Sequence, residues 1–138
     1  MGGTALAAHG IDPSIAIYGV EPEAGNDFAR SLAEGRRVKI GVPKTIADGL
    51  QTTSPGELTF AIAQRHTTAV VTVSDEELRE AVRFAFARMK LAIEPSGAAA
   101  IAALMHRRIP DIEGKRVGVV VSGGNVDPVS FASILTRA

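Results

Sequence analysis

Apolar positions in this chain follow two periods. Behind Ser74, the residues Leu78, Val82, Ala85, Phe86 and Met89 recur at helical spacing, and Glu77 stands three residues after Ser74. That is the signature of a capping box opening an amphipathic helix. Asp75, Glu76 and Glu77 lie at its positive end, with Arg88 and Lys90 near its negative end. The pattern predicts further helices over Thr4 to His9, with Gly10 as C-cap, and over Asn26 to Leu32. A helix over Glu57 to Arg65 carries Leu58, Ala61 and Ile62 on one face, and others follow over Ser96 to Arg107 and Pro128 to Thr136. Three β-branched runs predict strands: Ser14 to Val20, Thr68 to Val73 and Arg116 to Val121. Pro43 excludes a central strand over Gly35 to Pro43, and Gly49 to Ser54 reads as loop. Alternating strands and helices predict an α/β domain, three-layered, with a largely parallel sheet.

Composition narrows the function classes. The 138 residues suit one domain. Fifteen basic residues balance fifteen acidic ones, which argues against a phosphate footprint for nucleic acid and against a polybasic membrane surface. The chain has no Cys, so disulfides, thiolate metal sites and a thiol nucleophile are excluded. The longest apolar stretch, Gly97 to Met105, is far shorter than the ~20 residues of a membrane span. The amino terminus lacks the basic region of a signal peptide. The expectation is a cytoplasmic protein with neither nucleic acid nor membrane as partner. Aromatics are 4% of the chain, so the core must be built from Ala, Val, Ile and Leu.

In open parallel sheets, ligands bind beyond the carboxyl ends of strands. The third predicted strand runs into Ser122-Gly123-Gly124-Asn125, where two glycines permit close approach and Ser122 offers a hydroxyl. A tight turn without a ligand fits the same residues equally well. Glu21, Gly25 and Asp27 could supply two carboxylates and a carbonyl to Mg²⁺ or Ca²⁺. From spacing alone, an acidic loop opening a helix is the better reading. Glu94 either caps the helix behind it or lines a site. His9, His66 and His106 are scattered near helix ends and read as surface or cap residues. Arg36, Arg37 and Lys39 read as a solvated loop. No Ser-His-Asp arrangement, phosphate-binding P-loop or dinucleotide fingerprint is present.

Several strings together carry a resemblance: Val20-Glu-Pro22, Thr45-Ile-Ala-Asp-Gly49, Ile93-Glu-Pro-Ser-Gly97 and Val121-Ser-Gly-Gly-Asn-Val-Asp127. Their order and spacing resemble the C-terminal part of the threonine dehydratase/serine racemase family, pyridoxal-phosphate (PLP) enzymes of the tryptophan synthase β-like fold. The resemblance implies that Ser122 hydrogen-bonds the pyridine nitrogen, that Gly123, Gly124 and Gly49 flank the ring, and that Glu94 lies near it. It also implies a divalent-cation site, Mg²⁺ or another ion, at Glu21, the Gly25 carbonyl and Asp27, and so reverses the reading of that loop. A neutral hydroxyl at the ring nitrogen makes the ring a lesser electron sink than a carboxylate would, which suffices for loss of a β-hydroxyl. The implied reaction converts L-threonine or L-serine to a 2-oxo acid and ammonia. Serine racemase shares every one of these motifs.

The departures from the family matter as much. Its Schiff-base lysine lies in a Ser-x-Lys-x-Arg-Gly-like string that this chain lacks. Lys39, Lys44, Lys90 and Lys115 all read as surface charges. The glycine run that cradles the phosphate is also missing, although Met1-Gly2-Gly3-Thr4 looks like the residues that follow it. The expectation is therefore that residues 1–138 are the C-terminal portion of an incomplete large domain, inactive alone, with no regulatory domain after it. Such a portion would be marginal or oligomeric, or would need its missing N-terminal half, and the whole enzyme is expected to be a homo-oligomer. A non-catalytic module binding a small molecule or a partner chain is the alternative from a different class.

Overall fold

The structure is a computed structural model and describes residues 1–136. Eight regular elements follow in order: α1 (Gly2–Ile11), β1 (Tyr18–Pro22), α2 (Asp27–Glu34), α3 (Glu57–His66), β2 (Ala69–Val73), α4 (Asp75–Phe84), α5 (Pro95–Met105) and α6 (Pro128–Thr136). Short 3-10 turns cover Glu23–Gly25 and Asp48–Leu50. Among the described residues the sheet has two strands, β1 and β2, paired in parallel with Tyr18 opposite Ala69 and Pro22 opposite Val73. A strand pair joined through helices is a partial α/β domain.

The core lies between β2, α4 and α5. Leu78, Ala81 and Val82 of the fourth helix, with Ala85 just beyond its end, meet Ala98, Ala102 and Ala103 of the fifth, with Val73 beneath them. Small residues on α5 let the helix axes approach closely, and in this way an alanine-rich core compensates for the scarcity of aromatics. Ser74 opens α4 through a full capping box: its hydroxyl accepts from Glu77 N–H, and the Glu77 carboxylate accepts from Ser74 N–H. The sixth helix docks on the fourth through buried Ile134 and an edge-to-face pair, Phe86 with Phe131.

Several expectations are corrected. Gly10 is inside α1 rather than its cap; the helix runs on to Ile11, and Asp12 N–H closes it on the Ala8 carbonyl. The first strand begins at Tyr18, not Ser14, because β2 offers partners only to Tyr18–Pro22. On α3 the buried residues are Phe60 and Ala63, whereas Leu58 is 73% exposed. Phe60 and Ala63 also satisfy a helical period, and tertiary contact selects their face. Phe86 and Met89 lie in a π-type turn over Ala85–Met89 and are largely exposed rather than core, with Phe86 packed edge-to-face on Phe131. Arg116 to Val121 forms no ladder among the described residues, and Val120 there is 59% exposed. An apolar β-branched run is a strand only when another strand accepts its hydrogen bonds.

Candidate functional site

The candidate residues fall into two neighbouring groups. The first gathers at the amino end of α5. Glu94 precedes this helix, Pro95 occupies its first turn, and Ser96 faces the 45–49 loop. Gly49 N–H donates to Ser96 Oγ at 3.0 Å and to Asp48 Oδ1 at 2.8 Å. The loop is tied down from the other side by Asp75 at the start of α4, which accepts from the Thr45 hydroxyl and from Ile46 N–H.

The Ser122–Asn125 loop lies against the same helix end. Glu94 N–H donates to the Gly123 carbonyl at 3.1 Å, and Asn125 N–H donates to Glu94 Oε2 at 3.0 Å. A Cβ at Gly97 would stand 2.7 Å from the Gly123 oxygen, and one at Gly124 would stand 2.7 Å from the Ala92 oxygen. Only glycine allows both approaches without movement of the backbone. Glu94 therefore clasps the loop by its backbone amide and its carboxylate together.

The clasp leaves Ser122 at the wall of a cleft of about 440 Å³. The cleft is bounded by β1, by Met1 and by Thr4 of the first helix, by Thr52 and Ser54, by Gly97 and Ala100, and by Val120. Among the described residues the Ser122 hydroxyl has no hydrogen-bond partner, so it is free to donate or accept. All four lysines, Lys39, Lys44, Lys90 and Lys115, are exposed, and none lines the cleft.

The second group lies at the carboxyl end of β1. Glu21 accepts from Phe28 N–H and Ala29 N–H at 3.0 and 2.9 Å, so it caps the free amides of α2. Burial pushes its carboxyl up to about 7; the two amides oppose this shift, and the neighbouring Asp27 adds to it. Asp27 is fully buried. Its Oδ1 accepts from the Thr52 hydroxyl at 3.1 Å, and its Oδ2 has no partner. Burial raises its carboxyl too, against the Thr52 hydrogen bond. Gly25 is buried between Pro22, Pro43 and Leu50. Among the described residues no cluster of three or more His, Asp or Glu side chains could hold a metal by itself.

Sequence reasoning missed Ser96 and the Thr45–Asp75 anchor, whereas the reading of Glu21 to Asp27 as an acidic loop opening a helix matches the capping of α2 by Glu21. Thr45 and Asp75 are 30 residues apart, so no local pattern links them. It also treated the histidines as scattered, whereas His9 and His66 meet across two helices. Among the described residues no helix is long and apolar enough to cross a membrane.

A parallel strand pair flanked by a cleft with a partner-free hydroxyl at its wall is an arrangement found in α/β domains that take small ligands. The profile of the family described as "Pyridoxal-phosphate dependent enzyme" matches residues 1–123, and the chain belongs to that family. It is 47% identical over 135 residues to L-threo-3-hydroxyaspartate ammonia-lyase from a Pseudomonas species, covering 98% of this chain and 42% of that protein. It is 44% identical to serine racemase from Schizosaccharomyces pombe, covering 99% of this chain and 42% of that one. Its fold matches the solved structure of maize serine racemase with a TM-score of 0.88 at 35% identity, covering 96% of this chain and 41% of that one. The chain thus spans about two fifths of the length of these relatives.

Proposed function

We propose that this chain is the C-terminal portion of the catalytic domain of a PLP-dependent ammonia-lyase acting on L-threonine or L-serine. The observation that carries the reading is the Ser122 hydroxyl, held free at the cleft wall by the Glu94 clasp. When bound, the cofactor supplies an electron sink for charge at the substrate's α-carbon. Of the residues assigned to the ring, Ser122 lines the cleft, whereas Gly49, Glu94, Gly123 and Gly124 are not among its lining residues and support the reading through their contacts around Ser96, Gly97 and the 122–125 loop. Ser122 would hold the ring nitrogen through Oγ, while Gly123, Gly124 and Gly49 would flank the ring. Glu94 would act by fixing the loop, since its carboxylate is already engaged by Asn125 N–H. Apolar walls at Ala100 and Val120 would exclude water. The lysine and the phosphate cup would come from the remainder of the protein, together with strands that pair with β1 and with Arg116 to Val121. The whole enzyme would be a homo-oligomer, with its complete active site working in the cytoplasm.

Glu21, the Gly25 carbonyl and Asp27 would hold a divalent cation such as Mg²⁺. The partnerless Oδ2 of Asp27 suits an oxygen-seeking ion. In thermal melts, Mg²⁺ should stabilise the chain and Asp27→Ala should remove that shift.

Activity is tested on this chain joined to the lysine-bearing half, with PLP and L-serine or L-threonine. Formation of the 2-oxo acid and ammonia supports the reading. Ser122→Ala should cost about tenfold in turnover, the worth of one neutral hydrogen bond of about 1.5 kcal/mol. D-serine without 2-oxo acid would favour the racemase reading, which the kinship with serine racemases keeps open. No turnover and no cofactor uptake would favour a non-catalytic binding module.

A further inference from the structure

Helices α1 and α3 each carry a histidine near their carboxyl ends, and the fold brings the two together. The Nδ1 atoms of His9 and His66 lie 3.0 Å apart, although the residues are 57 positions apart in sequence. His9 Nε2 lies 2.9 Å from the Ile15 carbonyl oxygen. A carbonyl can only accept, so that nitrogen carries the hydrogen, and neutral His9 presents a bare lone pair at Nδ1. This lone pair faces His66 Nδ1. The rings are tilted by 59° with centroids 5.2 Å apart, so they do not stack, and their nitrogen edges converge.

An imidazole fixed through one nitrogen by a backbone carbonyl, with the other nitrogen bare, is how proteins orient metal-bound histidines. The spacing also fits. Two nitrogens each about 2.0 Å from an ion lie about 2.8 Å apart at a right angle and about 3.3 Å apart at a tetrahedral angle. The observed separation falls between these limits. Both rings are half-buried, so an ion there would keep open positions for water. Asp12, just beyond α1, is an acid within electrostatic reach of His9.

We propose that His9 and His66 form a two-imidazole site for a borderline divalent transition-metal ion, such as Zn²⁺ or Ni²⁺, that clasps α1 to α3. The site is separate from the cleft, but it sits on the helix whose Thr4, with Met1 just before the helix, forms part of the cleft wall. Without the ion the two rings share a hydrogen bond, His66 donating from Nδ1 to His9; when the ion binds, that proton leaves Nδ1 and His66 takes the tautomer with its hydrogen on Nε2.

The test is calorimetric titration of the full chain with Zn²⁺ and with Ni²⁺, alongside long-range ¹H–¹⁵N spectra of the histidine rings with Zn²⁺. With the carboxylate site kept filled by excess Mg²⁺, one Zn²⁺ or Ni²⁺ should bind per chain, and the Zn²⁺ spectra should show Nδ1 coordination on two rings only. His9→Gln and His66→Gln should each weaken binding about tenfold or more. His106→Gln should leave it unchanged, although His106 lies 3.7 Å from Glu77 and 3.3 Å from Glu80. The ring spectra of the unaltered chain read coordination directly, so the result does not depend on either variant folding. Absence of binding, binding that survives both substitutions, or binding that follows His106 would overturn the proposal.

Discussion

Val73 of β2 and Val120 of the 116–121 run are both valines in β-branched runs near the end of a predicted strand. Val73 is fully buried, paired with Pro22 and covered by α4 and α5. Val120 is 59% exposed and belongs to no ladder among the described residues. Local propensity is the same in both. What differs is supply: β2 has a neighbouring strand and two helices, whereas the second run has only the cleft on one side. Strand propensity measures fit to a pleated, half-buried surface, and that surface must be provided by other chain. An open apolar edge of this kind invites a partner strand.

The sharpest way to break this comparison is amide exchange. Backbone amides of Ala69–Val73 should be strongly protected in the chain alone, and those of 116–121 should exchange freely. Joined to the proposed lysine-bearing half, 116–121 should gain protection by several orders of magnitude. If it stays unprotected there, the run is not a strand waiting for a partner.

Side-chain truncation gives the next largest effect. Leu78 is fully buried in the α4–α5 core, so Leu78→Ala should cost about 2–5 kcal/mol in denaturant unfolding. Val120→Ala should change stability by less than about 0.5 kcal/mol in the chain alone. In the completed protein the second cost should rise towards the first, and equal small effects in both settings would sink the idea.

The same contrast explains what was legible in the sequence. The capping box at Ser74 and Glu77 and the buried stripe Leu78, Val82, Ala85 were readable, because spacing along one helix determines them. The Ser122–Asn125 loop was readable as a candidate because its glycines and hydroxyl are contiguous. Its clasp by Glu94 was not, since the contact spans 31 residues. Nor was the exposure of Phe86 and Met89, which lie in a π-type turn that no local pattern announces. The exposed Leu58 shows the same limit, since two faces of α3 satisfied the period and packing against α1 and α2 selected the other.

The capping box sharpens the comparison within the well-packed half. Ser74→Ala removes the acceptor of the Glu77 amide, and α4 should lose about 1–2 kcal/mol. Ser74→Gly should cost less, because water can reach the freed amide. An equal loss for both variants would mean that α4 is held by its core face and not by its cap.

Glu21 carries the smallest effect and joins the two regions, because it caps α2 at the end of β1 and also borders the cleft. Its folded carboxyl is raised from 4.5 to about 7, chiefly by burial. Between those two values the folded chain holds a proton that the unfolded chain has already released. The unfolding free energy therefore falls as pH rises from about 4.5 to about 7, and it is flat with respect to this group above and below that window. The carboxyl is only half-buried, so the total change should be under about 1 kcal/mol after screening. Glu21→Gln, which cannot titrate, should flatten this slope in chelator-treated buffer. Mg²⁺ should flatten it as well if the cation engages Glu21, because it would hold the carboxylate ionised throughout. A slope of the opposite sign, or one that Glu21→Gln leaves unchanged, would assign the titration to another acid.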